Sequence, residues 1–376
     1  MKLLLWYWGR RGGGARYTLE LARTLAPQCD LNLSLSKESE LFAETAKLGP
    51  GFHISTYRDL PSAALATARI PFLRAQFARY LAEERIDVVI STMHHMWSAF
   101  FVDVIKGAGP KLIVTVHDAR PHPGDPAIGW DWMLARQIAA ADGVMALSAH
   151  VRDQLIQQFG DIKKPIGVLY HPAFDLSAAQ TAPRRYPQGR PFRLLFFGRI
   201  RAYKGLDRLL DAVALLEGKH NITLCVAGQG DLGPYRSQLA RLKSVELINR
   251  WIEEDELGAL FARSDLFVAT HVEASQSGVV PTAYSAALPV VATVTGGIVE
   301  QVEEGATGLF ARDGSAEAIA QAIARLIEEP KLYEACSAGA LQAARGKFSW
   351  GGLAARYLEM ARVLVASPSS ASKIPR

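Results

Sequence analysis

Residues 2–26, KLLLWYWGRRGGGARYTLELARTLA, place an apolar strand, a glycine-rich turn and a helix in direct succession. The apolar run at 2–8 is typical of a buried parallel strand, and the apolar residues of 15–26 recur at the spacing of one helix face. Glycine lacks a Cβ atom, so this turn lets a ligand approach the backbone, and the helix start offers N–H groups and a partial positive charge. The segment predicts an α/β unit whose turn contains Gly9, Gly12, Gly13 and Gly14.

Two common phosphate-binding motifs do not fit this turn. A P-loop requires Gly-Lys-Ser/Thr, which is absent, and a G-x-G-x-x-G fingerprint starting at Gly12 would need glycine where the chain has Tyr17. The turn alone therefore leaves two alternatives, anion binding and tight packing of strand against helix.

Composition restricts the class of protein. A chain of 376 residues with a formal charge of +5 is expected to be globular, with two domains or one large domain, and gives no global sign of nucleic-acid binding. The three cysteines, Cys29, Cys225 and Cys336, show no metal-binding spacing, which favours a reducing compartment over a structural zinc site. The sequence has no signal-peptide pattern and no apolar stretch of about 18 residues, so we expect a cytoplasmic protein.

Strand-like and helix-like segments alternate along the whole chain, with a polar, proline-containing interruption in the middle. This order predicts two doubly wound parallel sheets that face each other across a cleft, with ligands at the carboxyl ends of the strands. The predicted parts are an N-terminal domain, a linker, a C-terminal domain, a helix that packs back on the N-terminal domain and a disordered tail, over 1–175, 176–190, 191–350, 351–366 and 367–376.

A second strand, turn and helix unit carries cations. Arg199 and Lys204 lie on the turn beside Gly198 and Gly205. A diphosphate binds well to such a set, because the guanidinium offers paired donors and the ammonium offers a compact charge. The alternative is that both cations are simply solvated on a loop.

A third turn precedes a helix predicted to start near Pro281. Ser277 and Gly278 would expose N–H groups there as a second phosphate cradle. Glu273, at the end of the apolar run LFVATHVE, either accepts hydrogen bonds from sugar hydroxyls or is a solvated charge.

Several motifs together resemble the retaining glycosyltransferases of the GT-B fold, family 4. They are FFGRIRAYKGLDRLLDA at 196–212, VAGQGD at 226–231, EASQSGVVPTAYSAALPVVAT at 273–293 and GGIVEQVEEGATG at 296–308. GGGARYTLELA at 12–22 and VTVHD at 114–118 fall where that family has its N-terminal glycine loop and a strand-end histidine. The resemblance implies two Rossmann-like domains in the GT-B arrangement and a glycosyltransferase.

The resemblance also implies roles for individual residues. Arg199 and Lys204 would hold the nucleotide diphosphate, and His117 would hydrogen-bond the donor sugar. Gly13 and Gly14 would face the diphosphate from the other domain. With Glu273, the two cations and His117 form the predicted catalytic set. The remaining predicted donor-binding residues are Gly198, Arg250, Trp251, Ile252, Gln276, Ser277, Gly278, Val279 and Thr282, with the backbone at 250–252 holding the base.

The chain departs from the family pattern at one place. The family often has two glutamates separated by seven residues, of which the second binds the donor ribose. Here Ala274 and Thr282 occupy the two positions, and Glu273 stands one residue early. Either Thr282 hydrogen-bonds the ribose, or that role has moved elsewhere.

The resemblance predicts retaining transfer of a sugar from a UDP- or GDP-linked donor to a hydroxyl acceptor, without a cofactor. We expect no metal, because no D-x-D pair stands in a suitable place. The expected setting is the assembly of bacterial cell-envelope polysaccharide. The alternatives are a sugar-nucleotide epimerase or phosphorylase on the same scaffold, and a non-catalytic nucleotide-sugar binding subunit.

The acceptor side rests on weaker patterns. His94 and His95 follow a strand and are predicted to face the acceptor, although strand-end histidines are often structural. Arg74 and Arg85 flank aromatic residues on a predicted helix, which fits either a membrane surface or an ordinary packed helix. The prediction is a lipid-linked saccharide acceptor and a peripheral protein at the inner face of the membrane.

Overall fold

The structure is a computed structural model that describes residues 1–57, 62, 66–95, 97–121, 128–174, 176 and 182–367. The predicted tail lies outside the described residues apart from Ser367, and so do residues 177–181 of the predicted linker.

The N-terminal half forms a sheet of six parallel strands in the order β2-β1-β3-β4-β5-β6. The strands are β1 (Lys2–Tyr7), β2 (Asp30–Leu35), β3 (Val88–Ser91), β4 (Lys111–Val116), β5 (Gly143–Ala146) and β6 (Ile166–Val168). The α-helices are α1 (Gly13–Leu25), α2 (Phe42–Thr45), α3 (Ile70–Glu83), α4 (Val102–Ala108), α5 (Trp130–Ala140) and α6 (Ala149–Phe159), and two 3-10 turns span Ala46–Leu48 and Ser98–Phe100.

The C-terminal half forms a second sheet of six parallel strands in the order β12-β11-β10-β7-β8-β9. The strands are β7 (Phe192–Phe197), β8 (Ile222–Ala227), β9 (Val245–Ile248), β10 (Leu266–Ala269), β11 (Val290–Thr293) and β12 (Gly308–Ala311). The α-helices are α7 (Leu206–Leu216), α8 (Arg236–Leu239), α9 (Glu254–Ala262), α10 (Val279–Ser285), α11 (Ala316–Glu328), α12 (Pro330–Arg345) and α13 (Trp350–Ala366), and 3-10 turns span Ala202–Lys204, Gly233–Tyr235 and Gly296–Glu300.

Each sheet has an apolar core on both faces. Strands buried on both faces need continuous apolar runs, which is why LLLW at 3–6 and VVAT at 290–293 are buried along their whole length. Strand order reverses beside β1 in the first sheet and beside β7 in the second, and ligands of doubly wound sheets bind at such reversals. The predicted pair of Rossmann-like domains is confirmed.

Helix α13 follows the C-terminal sheet but packs on the N-terminal one. Its Tyr357 hydroxyl lies 3.0 Å from the Tyr17 hydroxyl and 2.6 Å from Thr115 Oγ1, so it joins α1 and β4. Gly143 permits this packing, because a Cβ atom there would lie 2.7 Å from Sδ of Met360. The chain therefore crosses between the domains twice, at the linker and at α13.

Arg184 anchors the linker to the C-terminal domain. Its guanidinium donates hydrogen bonds to four main-chain carbonyls at or just after the C-terminal ends of α9 and α10. These are the carbonyls of Phe261, Ala262, Ser264 and Ala286. Carbonyls at a helix C-terminus lack partners within the helix and carry partial negative charge, which suits a cation. Burial lowers the pKa of Arg184. This part of the predicted linker is therefore a fixed structural element.

Replacing Arg184 should destabilise the C-terminal domain. Arg184→Ala leaves several half-buried carbonyls without donors, and we expect the free energy of unfolding to fall by about 2–4 kcal/mol. Urea denaturation followed by circular dichroism measures this change. Arg185→Ala is the matched control, since Arg185 is exposed and its loss should cost under about 0.5 kcal/mol. Equal midpoints for the two variants would contradict the anchoring role.

Candidate functional site

A cavity of about 1590 Å³ lies between the carboxyl ends of the two sheets. The N-terminal domain contributes Gly12, Gly13 and Arg16 to its wall, and the C-terminal domain contributes Arg250 and Trp251. A smaller pocket of about 230 Å³ adjoins it, and the two share His117, Gly198, Arg199, Gly278 and Val279. The smaller pocket is also lined by Lys204, His271 and Gln276. The arrangement offers room for an extended ligand with a small polar end.

The glycine turn after β1 combines both roles that the sequence left open. Gly13 lines the large cavity, and the place where its Cβ would stand has no atom within 4 Å. A Cβ on Gly14 would lie 2.4 Å from the Tyr7 hydroxyl, so Gly14 is required for packing. The prediction that Gly14 faces the ligand is wrong, because the helix turns it inward. The N–H of Gly12 donates to the Glu40 carboxylate at 2.7 Å, and Glu40 also lines the cavity.

The predicted cations are brought together at the small pocket. Lys204 and Arg199 both line it, and Nζ of Lys204 lies 2.8 Å from Nε2 of His271. Burial, together with the charge of Arg199, lowers the pKa of Lys204 to about 8. His271 was not predicted; it follows β10 by two residues, and its contact with Lys204 links turns that are 67 residues apart. A neutral imidazole here accepts from the ammonium and orients it.

Close backbone approach shapes the wall beside Arg199. Gly228 has φ +139, and a Cβ there would lie 1.9 Å from the carbonyl oxygen of Gly198. The turns after β7 and β8 therefore touch, and both glycines line the large cavity. The VAGQGD motif was the sequence signal for this contact.

His117 connects the two domains across the small pocket. Its Nδ1 lies 2.6 Å from Oδ2 of Asp118, and its Nε2 contacts Nε2 of Gln276. Since a carboxylate can only accept, Nδ1 carries a proton, and in the neutral imidazole Nε2 is then an acceptor for the Gln276 amide. His117 and Gln276 were predicted for the donor site, and the structure places them face to face.

The turn before α10 differs in detail from the prediction. Helix α10 begins at Val279, so Pro281 is its third residue. The N–H of Ser277 donates to Oε1 of Gln301 at 2.8 Å, and Nε2 of Gln301 donates to the Ser277 carbonyl at 2.7 Å. The Ser277 N–H is therefore not available to a phosphate, and this part of the predicted second cradle is wrong. Gly278 and Val279 do line both cavities.

Thr282 and Glu273 have different surroundings. Thr282 lines the large cavity, but its hydroxyl donates to the Gly278 carbonyl at 2.8 Å and accepts from the Phe174 N–H at 3.4 Å. Strand β10 ends at Ala269, so Glu273 lies beyond the strand end and is exposed. Among the described residues that line the two cavities Glu273 is absent, whereas Ala274 lines the smaller one. The structure does not bring Glu273 to the site.

The segment at 250–252 lines the large cavity as predicted for the base. The Arg250 side chain donates to Oε2 of Glu256 at 2.8 Å and to the Trp251 carbonyl at 3.0 Å. The pairing with Arg250 lowers the pKa of Glu256 to about 2. Trp251 leaves about half of its side chain exposed in this wall, a flat apolar surface beside a fixed backbone.

The predicted acceptor histidines lie in packing positions. His95 is buried with its ring centroid 5.0 Å from that of Trp6 and 5.5 Å from that of Trp8, and burial lowers its pKa to about 3. His94 packs on Trp130, and burial lowers its pKa to about 4. Neither is among the described residues that line the two cavities. The structure supports the structural alternative for both.

The predicted basic helix face is only partly available. Arg74 on α3 donates to both carboxylate oxygens of Asp103, at 3.0 and 2.7 Å, so its charge is paired. Arg85 is exposed just after α3, with φ +51. Phe77 is in the core, whereas Phe72 is 65% exposed.

Sequence reasoning did not identify Arg16 and did not place His171 in the cleft, and the structure puts both in the wall of the large cavity. Arg16, in the first turns of α1, has Nε 2.9 Å from the Glu20 carboxylate. His171 is buried, its Nδ1 donates to the Pro172 carbonyl at 2.9 Å, and burial lowers its pKa to about 4. Arg16 is one turn past the glycines, which is a signal that the sequence offered.

The described part of the chain contains neither a candidate metal centre nor a helix suited to span a membrane. Within the described part of the chain, no group of three or more histidine, cysteine or acidic side chains is placed to hold a metal ion. No described helix combines the length and the apolar character needed to cross a bilayer.

Known proteins with similar sequences and folds cover nearly the whole chain. D-inositol 3-phosphate glycosyltransferase 1 of Catenulispora acidiphila is 30% identical over 94% of this chain and 91% of its own length. The crystal structure of Anabaena Alr3699/HepE with UDP has a TM-score of 0.76 at 21% identity, covering 96% of this chain and 100% of that one. The same protein with UDP-glucose gives a TM-score of 0.72 at 21% identity, covering 96% and 99%. WaaG, a glycosyltransferase involved in lipopolysaccharide biosynthesis, gives a TM-score of 0.65 at 16% identity, covering 98% and 100%.

Two family models divide the chain between them. Residues 191–329 match Glycosyl transferases group 1, and residues 11–173 match Glycosyltransferase Family 4. The first match contains all six strands of the C-terminal sheet, and the second contains β2 to β6 of the N-terminal sheet, so the family assignment agrees with the topology. The chain belongs to the family 4 glycosyltransferases and has their two-domain GT-B fold.

Proposed function

We propose that this glycosyltransferase moves a sugar from a nucleoside-diphosphate donor to a hydroxyl acceptor with retention, without a metal ion or cofactor. The observation that carries the proposal is the presence of two cations, Arg199 and the half-buried Lys204, in a small pocket that opens into a much larger cavity. Two cations at that junction match the charge of a diphosphate, with the nucleoside on one side and the sugar on the other.

The donor in this proposal is UDP- or GDP-linked. Support for UDP comes from a structural neighbour, Anabaena Alr3699/HepE, which was solved with UDP-glucose. The wall at 250–252 offers Trp251 and fixed main-chain groups to a base. Transfer assays with UDP- and GDP-sugars distinguish the two donors, and proton NMR of the product's anomeric coupling tests retention.

The chemical step depends on stabilising the leaving diphosphate. Charge grows on its oxygens as the bond from the sugar breaks, and donors already in place in a water-poor pocket stabilise that charge strongly. Among the described residues that line the small pocket, Asp118 is the one carboxylate, and it is hydrogen-bonded to His117. In this mechanism the acceptor oxygen attacks the anomeric carbon on the same face that the diphosphate leaves. An oxygen of the leaving diphosphate takes the proton of the acceptor hydroxyl.

The acceptor in this proposal is a lipid-linked saccharide, and the protein works in the cytoplasm on the inner face of the membrane during cell-envelope assembly. Support comes from exposed apolar side chains on the N-terminal domain. Ile128 is 99% exposed, Phe72 65% and Trp132 47%, and the Trp132 ring lies 5.4 Å from that of Phe100. Aromatic residues of this kind bind at the boundary between lipid headgroups and acyl chains.

Removing either cation should abolish most turnover. We expect Arg199→Ala and Lys204→Ala each to lower kcat by about 100-fold or more, since each removes a donor from a developing anion. The rate at which nucleoside diphosphate is released from the preferred nucleotide-sugar measures this loss of kcat. Lys219→Ala is the control, because Lys219 is exposed and is absent from the described cavity walls. Well-folded cation variants within threefold of the parent would refute the assignment.

Activity should fall as pH rises through the pKa of Lys204. This pKa is lowered to about 8, so the side chain is an ammonium below that pH and a neutral amine above it. Only the ammonium attracts a diphosphate, so kcat/KM should decline by about tenfold per pH unit above pH ~8. Lys204→Arg should lose this decline, because a guanidinium stays charged. An unchanged profile in Lys204→Arg would assign the titration to another group.

Association with membranes should depend on the exposed apolar side chains. Co-sedimentation with vesicles containing anionic lipid should recover the parent protein, and Phe72→Glu with Trp132→Glu should reduce the bound fraction by about fivefold or more. Val363→Glu on α13 is the matched control, since Val363 is also exposed. If the double variant binds vesicles as well as Val363→Glu does, or if the parent does not bind, a soluble acceptor is favoured.

Chelation tests the metal-independent part of the proposal. We expect dialysis against EDTA to change transfer activity by less than about twofold, because the two cations already supply the charge that a divalent ion would bring. Restoration of a lost activity by added Mg²⁺ or Mn²⁺ would show the opposite.

A further inference from the structure

Gln276 has a buried polar atom without a partner, in a pocket where a ligand would supply one. The residue is 7% exposed and lines the small pocket. Among the described residues, no group donates a hydrogen bond to its Oε1 atom. Buried amide oxygens in native proteins are nearly always hydrogen-bonded, so an exception in a cavity wall points to a missing partner.

The orientation of the Gln276 amide is fixed by a chain of contacts. The Asp118 carboxylate accepts the Nδ1 proton of His117, which leaves His117 Nε2 as an acceptor. The Gln276 NH₂ group is then the end that faces His117. The carbonyl Oε1 is consequently the end of the side chain left for another donor.

The backbone around Gln276 is held on both sides. The Ser275 carbonyl accepts from the Ser148 hydroxyl of the other domain at 2.9 Å. The Ser277 N–H and carbonyl are both bound by the side chain of Gln301. A residue between two such fixed neighbours presents its side chain in a defined position, which recognition of a single hydroxyl requires.

The chemistry of Oε1 restricts what it can bind. A phosphate oxygen carries no proton at neutral pH and repels a carbonyl oxygen, so the diphosphate belongs with Arg199 and Lys204. A sugar hydroxyl can donate to Oε1. Among the described residues of the small pocket, no carboxylate competes with Oε1 for a sugar hydroxyl, because residue 274 is alanine and the Asp118 carboxylate is hydrogen-bonded to His117.

We infer that Gln276 is a specificity-determining residue that accepts a hydrogen bond from one hydroxyl of a neutral donor sugar, with His117 as the positioning residue for its amide. This inference rests on the proposed function, since it assumes a nucleotide-sugar in the cleft. It assigns sugar recognition to an amide at 276, at a site where positions 274 and 282 carry no carboxylate.

Binding measurements with deoxy sugars test this inference without requiring turnover. Calorimetry would compare UDP, UDP-glucose and the 3-, 4- and 6-deoxy forms of UDP-glucose on the parent and on Gln276→Leu. For the parent we expect one deoxy form to bind about 10-fold more weakly or worse, because that donor leaves Oε1 unpaired. For Gln276→Leu we expect that same form to bind as well as UDP-glucose, while UDP affinity stays within about twofold.

Gln229→Leu is the matched control, since Gln229 lines the large cavity and is absent from the described wall of the small pocket. It should keep the parent's full penalty for the same deoxy form. The inference is overturned if Gln276→Leu retains that penalty, or if no deoxy form binds more weakly than UDP-glucose to the parent. Failure of the proposed function is a separate result, namely absence of sugar transfer by the parent even though these binding differences are observed. Gln276→Glu, which keeps an acceptor oxygen, should retain discrimination and so separates a lost hydrogen bond from misfolding.

Discussion

The carboxylate of Glu300 joins the two domains at the base of the cleft. It accepts hydrogen bonds from the N–H groups of Ala149 and His150, both at 2.7 Å, and so closes the N-terminus of α6 with a side chain from the opposite domain. A carboxylate is favoured there because it satisfies unpaired donors and opposes the positive end of the helix dipole. The Ser148 hydroxyl, one residue earlier, reaches the Ser275 carbonyl. These contacts set how far His117 lies from Gln276, and hence the width of the small pocket.

Charge in the cleft is arranged in advance of any ligand. Lys204 is half-buried beside Arg199, and loss of water together with the like charge of Arg199 disfavours its ammonium form, which lowers the pKa of Lys204. The acceptor nitrogen of His271 holds the ammonium in place. In the proposed function, a bound diphosphate would offset the repulsion between the two cations and favour the ammonium form of Lys204, so part of the unfavourable free energy of the empty site would be recovered on binding. Donors that are fixed before the reaction need no reorganisation during it.

Periodicity and motif spacing were sufficient to predict the fold and to bring Arg199 and Lys204 to one pocket. Continuous apolar runs and alternating helices specify doubly wound sheets, and the turn after β7 places Arg199 and Lys204 at a strand reversal. What the sequence could not supply was the exact end of each strand. The apolar run ending at Glu273 predicts a strand end there, but β10 stops at Ala269, and the residues between them place the carboxylate outside the cleft. Contacts between distant turns, such as Lys204 with His271, have no local pattern at all.

The glycine turn shows the same limit at the scale of one residue. Gly13 and Gly14 are adjacent in a helix and therefore point about 100° apart, so one meets the cavity and the other meets Tyr7. His95 is a second example, because its loop directs the ring into the core, where it packs against Trp6 and Trp8. In both cases the sequence pattern places a residue on a turn, but three-dimensional packing decides whether it points into the cavity or into the core.

Positions 274 and 282 carry no carboxylate. In the proposed function, the acceptors for the hydroxyls of a donor ribose therefore come from elsewhere in the wall of the large cavity. The Thr282 hydroxyl has one proton and gives it to the Gly278 carbonyl, so toward a ligand this group can only accept. Carboxylates do line the large cavity, but they come from the turns that carry Glu40, Asp231 and Glu253 and from Asp255 in the first turn of α9. A ribose hydroxyl that needs a carboxylate acceptor would meet one of these turns and not helix α10. Helix α10 also packs against Phe174, whose N–H donates to the Thr282 hydroxyl and whose carbonyl accepts from the Ser285 hydroxyl, and these bonds fix the domain crossing beside the cleft.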